Sequence, residues 1–170
     1  MNGNKRLKEF EKNLETFRFV VLHHVLPTDS GRDSHWDLLV EHPVLAPKQL
    51  LCFEFPAPPE MWFISYLVSQ LPDHREIYLT YEGPISSNRG VVSRVLSGTI
   101  FWLPNPENML IARIESLSLP PNWLNLIEPS KPSILLNWTP IHQESADSHN
   151  RLWQFATSNW PFSISDIPSY

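Results

Sequence analysis

Two histidines and one aspartate near the start of the chain are the residue types of a transition-metal site. His24 ends one apolar run, and His35 and Asp37 open the next. Residues two apart in a strand project from one face, so His35 and Asp37 point together. If the two runs pair as a hairpin, His24 meets them, and two imidazoles with one carboxylate suit a divalent transition metal.

The same three residues also have a simpler interpretation. A His-x-Asp spacing arises often by chance, and an imidazole bonded to a carboxylate can just satisfy a buried polar pair. His23 stands beside His24 in the same run and projects from the opposite face, so it is the alternative ligand if His24 is not one. Spacing alone leaves the metal site and the structural pair both open.

Composition indicates one folded domain made mostly of short strands. The chain has 170 residues, of which 42% are hydrophobic, enough to bury a substantial core. Its 17 prolines recur through the middle and late chain, which disfavours long helices and is compatible with short strands joined by turns. Seven or eight such strands predict an antiparallel sheet closed into a barrel or a sandwich.

Charge and cysteine content exclude several classes of protein. The formal charge of −5 provides no general attraction to nucleic acid, so a phosphate contact needs a local patch or a metal. Cys52 is the single cysteine, which rules out a disulfide framework and a cysteine-based zinc site. The N-terminus has no apolar signal core and no segment is long enough to span a membrane, so we expect a cytoplasmic monomer without membrane contact.

The predicted domain organisation has three parts. Residues 1–17 form an amphipathic helix, residues 18–140 form the barrel, and residues 141–170 form an aromatic extension packed on or beside it. Two local predictions bear on the site. Ile77, Leu79 and Tyr81 alternate with more polar residues as in a strand, and Ser97-Gly98 forms a tight turn between two strands. A crater at one rim of a barrel can hold a polar site.

Three segments, in order along the chain, resemble motifs of the 3′-phosphoesterase domain of bacterial DNA ligase D and its stand-alone relatives. The resemblance extends, with gaps, from about Arg18 to about Thr139. The matching residues are Arg18-Phe19-Val20-Val21 with His24, then His35-Trp36-Asp37, then Asp73-His74 with Tyr78 and Tyr81-Glu82-Gly83, followed by Ser97-Gly98-Thr99. The segment from Asp73 to Gly83 matches without a gap.

The resemblance implies a compact antiparallel β-barrel with short flanking helices and an enzyme that acts on nucleic-acid 3′ ends. The implied reaction is the removal of a 3′-phosphate or a 3′-ribonucleoside, with Mn²⁺ or another divalent transition metal as cofactor. His24, His35 and Asp37 are the implied metal ligands, and His74 and Tyr78 are implied to lie beside the reacting phosphate. Such an imidazole can donate a proton, and such a hydroxyl can hold a phosphate oxygen.

The sequence departs from the family pattern where the family binds phosphate. Leu39 stands two residues after Asp37, where relatives have an arginine, and the basic residue expected before the Asp-His motif is missing. Arginine binds phosphate through two parallel hydrogen bonds, which leucine cannot make. The loop between the two histidines is also longer than usual. We expect Arg32 in that loop, or Arg89 in a later turn, to supply the charge.

Two other functions fit the same residues. One is a non-catalytic barrel module that kept the metal site, which the missing arginines and the acidic charge favour. The other is an iron(II) oxygenase in which His35, Asp37 and His74 form a two-histidine, one-carboxylate ligand set.

Overall fold

The computed structural model describes residues 15–62, 65–103, 109–115, 133–141 and 151–159. Within these ranges the chain forms nine strands and two short 3-10 helices, Pro59–Met61 and Glu76–Leu79. The strands are β1 Phe17–Val25, β2 His35–Val40, β3 Gln49–Phe55, β4 Tyr66–Arg75, β5 Gly83–Pro84, β6 Val91–Leu103, β7 Leu110–Glu115, β8 Ser133–Pro140 and β9 Arg151–Asn159. The predicted mostly-β class is confirmed.

Eight of these strands close into an antiparallel barrel. Their order is β1-β2-β3-β4-β9-β8-β7-β6, and pairing of β1 with β6 completes the circle. Among the described residues, the short strand β5 pairs only with the beginning of β6. Each of the eight described barrel strands pairs with a neighbour on both sides, which is the usual solution for an all-antiparallel fold of this size. The predicted barrel is confirmed.

Aromatic side chains fill the barrel interior. All eight strands of the barrel contribute to one buried cluster, which includes Phe53, Phe55, Trp138, Trp153 and Phe155. The ring centroids of Phe53 and Trp138 lie 5.1 Å apart, and those of Phe55 and Phe155 lie 4.8 Å apart. Such rings bury large apolar areas, so the interior is a packed core.

A second apolar cluster lies on the outer face of the barrel wall. Its residues on β1, β2 and β3 alternate with those of the interior core, so they point outward. The strand residues of the cluster are Val20, Leu22, Leu39, Leu50, Cys52 and Val92. The segment from residue 76 to residue 85 covers them with Leu79, Tyr78, Tyr81 and Ile85. Each fully buried aliphatic side chain contributes about 1.5–3 kcal/mol, which holds this segment against the wall.

An ion-pair network anchors the beginning of the covering segment. The Arg18 guanidinium on β1 donates to Glu41, just after β2, and to Glu76 at a distance of 2.5 Å. The Glu76 backbone N–H also donates to the Lys48 carbonyl at 2.9 Å. These contacts fix the 3-10 helix Glu76–Leu79, and with it the position of Tyr78.

The strand predicted through Ile77, Leu79 and Tyr81 is wrong. Residues 76–79 form a 3-10 helix in which Ile77 is exposed and Leu79 is buried. In a 3-10 helix residues three apart lie on one face, and the rings of Tyr78 and Tyr81 accordingly meet edge to face at 6.0 Å. A strand would have placed these two rings on opposite faces.

The tight turn predicted at Ser97-Gly98 is also wrong, because β6 continues without interruption from Val91 to Leu103. Gly98 pairs directly with Phe19 of β1, whose ring belongs to the interior core. A glycine without a side chain leaves space beside a large ring across the sheet. The glycine therefore lies within a strand and not in a turn.

The predicted boundary of the barrel at residue 140 divides the real barrel. Residues 151–159 form β9, which lies between β4 and β8 and contributes Trp153 and Phe155 to the interior core. The predicted N-terminal helix (apart from residues 15–17), the polar stretch 142–150 and the end of the predicted extension lie outside the described residues. Among the described residues, no helix has the length and apolar character needed to cross a membrane.

Candidate metal centre

The hairpin β1–β2 brings the three predicted metal ligands together. His24 on β1 pairs directly with His35 on β2. Asp37 pairs with Leu22, which lies two residues before His24 and on the same face of β1. Ligand atoms of His24, His35 and Asp37 all lie within 4.8 Å of one another. His23 lies on the opposite face, where its ring stacks on Trp36 at a centroid distance of 4.6 Å. The strand alternation expected from the sequence therefore places His24 at the site and His23 away from it.

Both imidazoles are oriented by a backbone carbonyl. His24 Nε2 lies 2.7 Å from the Arg89 carbonyl oxygen, and His35 Nδ1 lies 3.1 Å from the Asp33 carbonyl oxygen. A carbonyl only accepts, so these ring nitrogens carry the protons and each neutral ring keeps one bare nitrogen. Those nitrogens, His24 Nδ1 and His35 Nε2, each lie 3.5 Å from a carboxylate oxygen of Asp37. This is how metal-binding histidines are commonly held.

Asp37 completes the set as a buried anion. Its side chain is only 7% exposed, and its Oδ1 is buried without a hydrogen-bond partner. Burial alone would raise the pKa of Asp37, but the adjacent His24 and His35 imidazoles outweigh it and hold that pKa below its usual value. Burial likewise opposes charge on His35, and the Asp37 carboxylate reverses this and raises the pKa of His35.

These donor atoms fit a divalent transition metal. Two ligands on one metal, with bonds of about 2.1 Å and angles of roughly 90–110°, lie about 3.0–3.4 Å apart. The two contacts between imidazole nitrogen and carboxylate oxygen, both at 3.5 Å, are close to that spacing and too long for strong hydrogen bonds. A buried carboxylate oxygen without a partner is costly unless a cation or donor satisfies it. The three residues could therefore hold a metal ion.

The site lies on the outer face of the barrel wall, under the segment that includes residues 76–90. The sequence analysis placed it in a crater at the barrel rim, but the aromatic core already fills the interior. His24 and Asp37 instead line a cavity of about 80 Å³ together with the covering residues Tyr78, Ile85 and Arg89. The cavity therefore forms between the sheet and its cover.

His74 and Tyr78 line this same cavity, as the sequence analysis expected. His74 lies near the end of β4, and its Nδ1 is 2.8 Å from the Pro72 carbonyl oxygen, which leaves Nε2 as the bare nitrogen of the neutral ring. The His74 and Tyr78 rings meet at a centroid distance of 5.7 Å. Leu39 also lines the cavity and is 1% exposed, so it does project from the face of Asp37.

The two arginines predicted to bind phosphate have different positions. Arg89 lines the cavity, and its guanidinium donates to the Ser86 carbonyl oxygen at 2.9 Å and to the Ser86 hydroxyl at 3.2 Å. Arg32 is not among the residues that line the cavity, and its guanidinium donates to Glu54 at 2.7 Å. Arg89 is therefore the arginine at the cavity, whereas Arg32 is paired with a carboxylate.

Sequence reasoning missed two residues that shape the site. Glu54 on β3 pairs directly with Asp37, and its Oε2 lies 3.5 Å from His35 Nε2. The available signal was a single charge within the otherwise apolar run of β3. Gly90 has a φ of +97°, and a Cβ there would lie 2.2 Å from the Val25 carbonyl oxygen. This glycine lets the turn come close to β1, so that the Arg89 carbonyl reaches His24.

No protein-family model matches the chain, and no curated protein matches it. The relationship to the ligase D phosphoesterases therefore stays a prediction. The geometry of the site is the basis for the proposals below.

Proposed function

We propose that the protein is a metal-dependent phosphoesterase that removes a 3′-phosphate or a 3′-ribonucleoside from nucleic-acid ends. The observation that supports it is one cavity that combines two of the three metal-binding residues with proton-donating and phosphate-binding groups. His24 and Asp37 line it from the barrel wall, and His74, Tyr78 and Arg89 line it from the other sides. The motif resemblance noted in the sequence adds to this argument.

His24, His35 and Asp37 would hold Mn²⁺, which when bound withdraws charge from a phosphate oxygen and makes a coordinated water more acidic. The side chains around the cavity would bind the phosphate and transfer a proton. The Arg89 guanidinium would bind two phosphate oxygens, and the Tyr78 hydroxyl would donate to a third. When it is protonated at both ring nitrogens, His74 would give its Nε2 proton to the leaving oxygen.

The size of the cavity limits what enters it. A volume of about 80 Å³ is small beside the roughly 300–1,000 Å³ of typical ligand pockets. We infer that the cavity receives the terminal phosphate group and not a whole nucleoside. The nucleoside would therefore lie outside the cavity, which is consistent with an enzyme that acts on terminal phosphates.

The test is release of inorganic phosphate from a 3′-phosphorylated oligonucleotide in the presence of Mn²⁺, with a 5′-phosphorylated oligonucleotide as the comparison. We expect turnover of the 3′ end, none with Asp37→Asn, and roughly a hundredfold slower turnover with His74→Ala at unchanged metal content. If the wild-type protein binds Mn²⁺ but releases neither phosphate nor ribonucleoside above the Asp37→Asn background, the phosphoesterase proposal is wrong.

A non-catalytic metal-binding module is the second candidate. It is favoured by Leu39, which covers part of the cavity wall with an apolar side chain, and by Arg32, which is paired with Glu54. The iron(II) oxygenase receives less support, because His24 joins His35 and Asp37 in the cluster that the described residues form. In the same assay, metal binding without turnover of either 3′ end would favour the module.

A further inference from the structure

The carboxylate of Glu54 lies beside the three predicted ligands, and neither the motifs nor the cluster itself includes it. We propose that Glu54 is a fourth ligand of the metal, and that Arg32 is the counter-ion that neutralises it when no metal is bound. This inference rests on the metal centre of the proposed function. It adds a second carboxylate to the ligand set and makes the metal control the position of an arginine.

The strand register puts two carboxylates side by side. Asp37 on β2 and Glu54 on β3 are direct partners, so both side chains project from the outer face. Like charges directly opposite each other in a sheet are destabilising. Asp37 is a buried anion, so the pair needs a cation between or beside its members. A divalent ion bound by both carboxylates satisfies that need.

The distances place the Glu54 carboxylate next to one of the three ligands, His35. His35 Nε2 lies 3.5 Å from Glu54 Oε2 and 3.5 Å from Asp37 Oδ1. The bare nitrogen of His35 is therefore equally distant from one oxygen of each carboxylate. This spacing is close to the roughly 3.0–3.4 Å between two ligands of one metal. Glu54 is 25% exposed, whereas Asp37 is 7% exposed, so Glu54 approaches the site from the solvent side.

Arg32 binds the same oxygen atom that faces His35. Its Nη2 lies 2.7 Å from Glu54 Oε2, and its side chain is 59% exposed in the loop between β1 and β2. An exposed ion pair contributes little stability, so a metal can displace this guanidinium at small cost. Displacement would leave the guanidinium near His35 of the metal centre and free to bind an anionic substrate. Metal binding would thereby supply the phosphate-binding charge that Leu39 does not.

Two variants separate the ligand role from the ion pair. Glu54→Gln and Arg32→Gln break the same contact, but only the first removes a carboxylate. In a calorimetric titration with Mn²⁺, we expect Glu54→Gln to weaken binding by at least about tenfold. We expect Arg32→Gln to bind Mn²⁺ as tightly as the wild-type protein or more tightly, because it removes a competitor for Glu54. Glu54→Asp, which keeps the charge but is shorter, should also weaken binding.

Two controls complete the experiment. Glu82→Gln removes an exposed carboxylate that pairs with Arg94 and does not line the cavity, and it should leave Mn²⁺ affinity unchanged. Asp37→Asn should abolish binding. Circular dichroism and thermal unfolding establish that each variant is folded.

The outcomes distinguish this inference from the proposal beneath it. If Asp37→Asn abolishes binding while Glu54→Gln binds like the wild-type protein, Glu54 is not a ligand and the metal centre stands without it. Equal weakening by Glu54→Gln and Arg32→Gln would show that only the ion pair matters, which also overturns the inference. If Asp37→Asn retains full binding, the metal centre itself is wrong.

Discussion

Gly90→Ala tests whether the backbone turn around residue 90 orients the metal-binding histidine. The turn approaches β1 so closely that a Cβ on Gly90 would lie 2.2 Å from the Val25 carbonyl oxygen and 3.1 Å from its carbonyl carbon. Both contacts are with backbone atoms of a strand in the barrel, which cannot rotate away. The preceding residue, Arg89, provides the carbonyl that accepts from His24 Nε2 at 2.7 Å.

The expected losses of folding stability and of metal affinity in Gly90→Ala follow from these distances. The turn must move by about 0.8 Å to bring the new Cβ to 3.0 Å from the oxygen. If the Arg89 carbonyl moves with it, its distance from His24 Nε2 grows to about 3.5 Å, which is beyond a normal hydrogen bond. The strain of alanine at positive φ and the clash together destabilise the fold by about 2–4 kcal/mol. Loss of an orienting hydrogen bond weakens a metal site about 10- to 100-fold.

The assay combines urea unfolding with a Mn²⁺ titration. Gly31→Ala is the matched control, because Gly31 also has positive φ, at +70°, but a Cβ there would meet nothing within 4 Å. It should cost about 1–2 kcal/mol of unfolding free energy and leave metal affinity unchanged. If Gly90→Ala binds Mn²⁺ as well as Gly31→Ala does, the Arg89 carbonyl does not orient His24, and this reasoning is refuted.

Two further predictions concern the apolar cavity wall and the anchor of the covering segment. Leu39→Arg should lower the free energy of unfolding by about 1–3 kcal/mol, because Leu39 is 1% exposed. It should also raise turnover of a 3′-phosphate end about tenfold. Leu39→Met is the control, and no gain in turnover with Leu39→Arg would show that this position is not the missing phosphate contact. The Arg18 guanidinium holds the pKa of Glu41 below its usual value, so the stability from this pair is present above about pH 4.5 and is lost as pH falls through the lowered pKa. Arg18→Gln should therefore lower the free energy of unfolding by about 0.5–1 kcal/mol at pH 7. In urea unfolding this difference from wild type should shrink as the pH falls below 4.5; a difference that stays constant there would contradict the prediction.

Local pattern was sufficient to predict the hairpin and the three clustered residues. Strand pairing acts on neighbouring segments, so two apolar runs joined by a polar loop indicate a hairpin. Once they pair, the period of two decides which residues share a face. That rule placed His24, His35 and Asp37 together and His23 on the other side, and the structure agrees. The mostly-β class followed from equally local signals, the many short apolar runs and frequent prolines.

Contacts between distant segments decided the rest. Nothing near Glu54 in sequence shows that β3 pairs with β2 in the register that brings this carboxylate to His35. Residues 151–159 enter the barrel by pairing with β8 on one side and on the other with β4, which is far from them in sequence.

The placement of the site was decided by packing. Aromatic rings fill the interior, so the site occupies the outer face, where the segment after β4 covers it as a 3-10 helix held by an outer apolar cluster. The period of two cannot tell which face of a strand a closed barrel will turn inward. Closure requires all eight strands at once, so the interior face, and with it the position of the site, is a property of the assembled sheet.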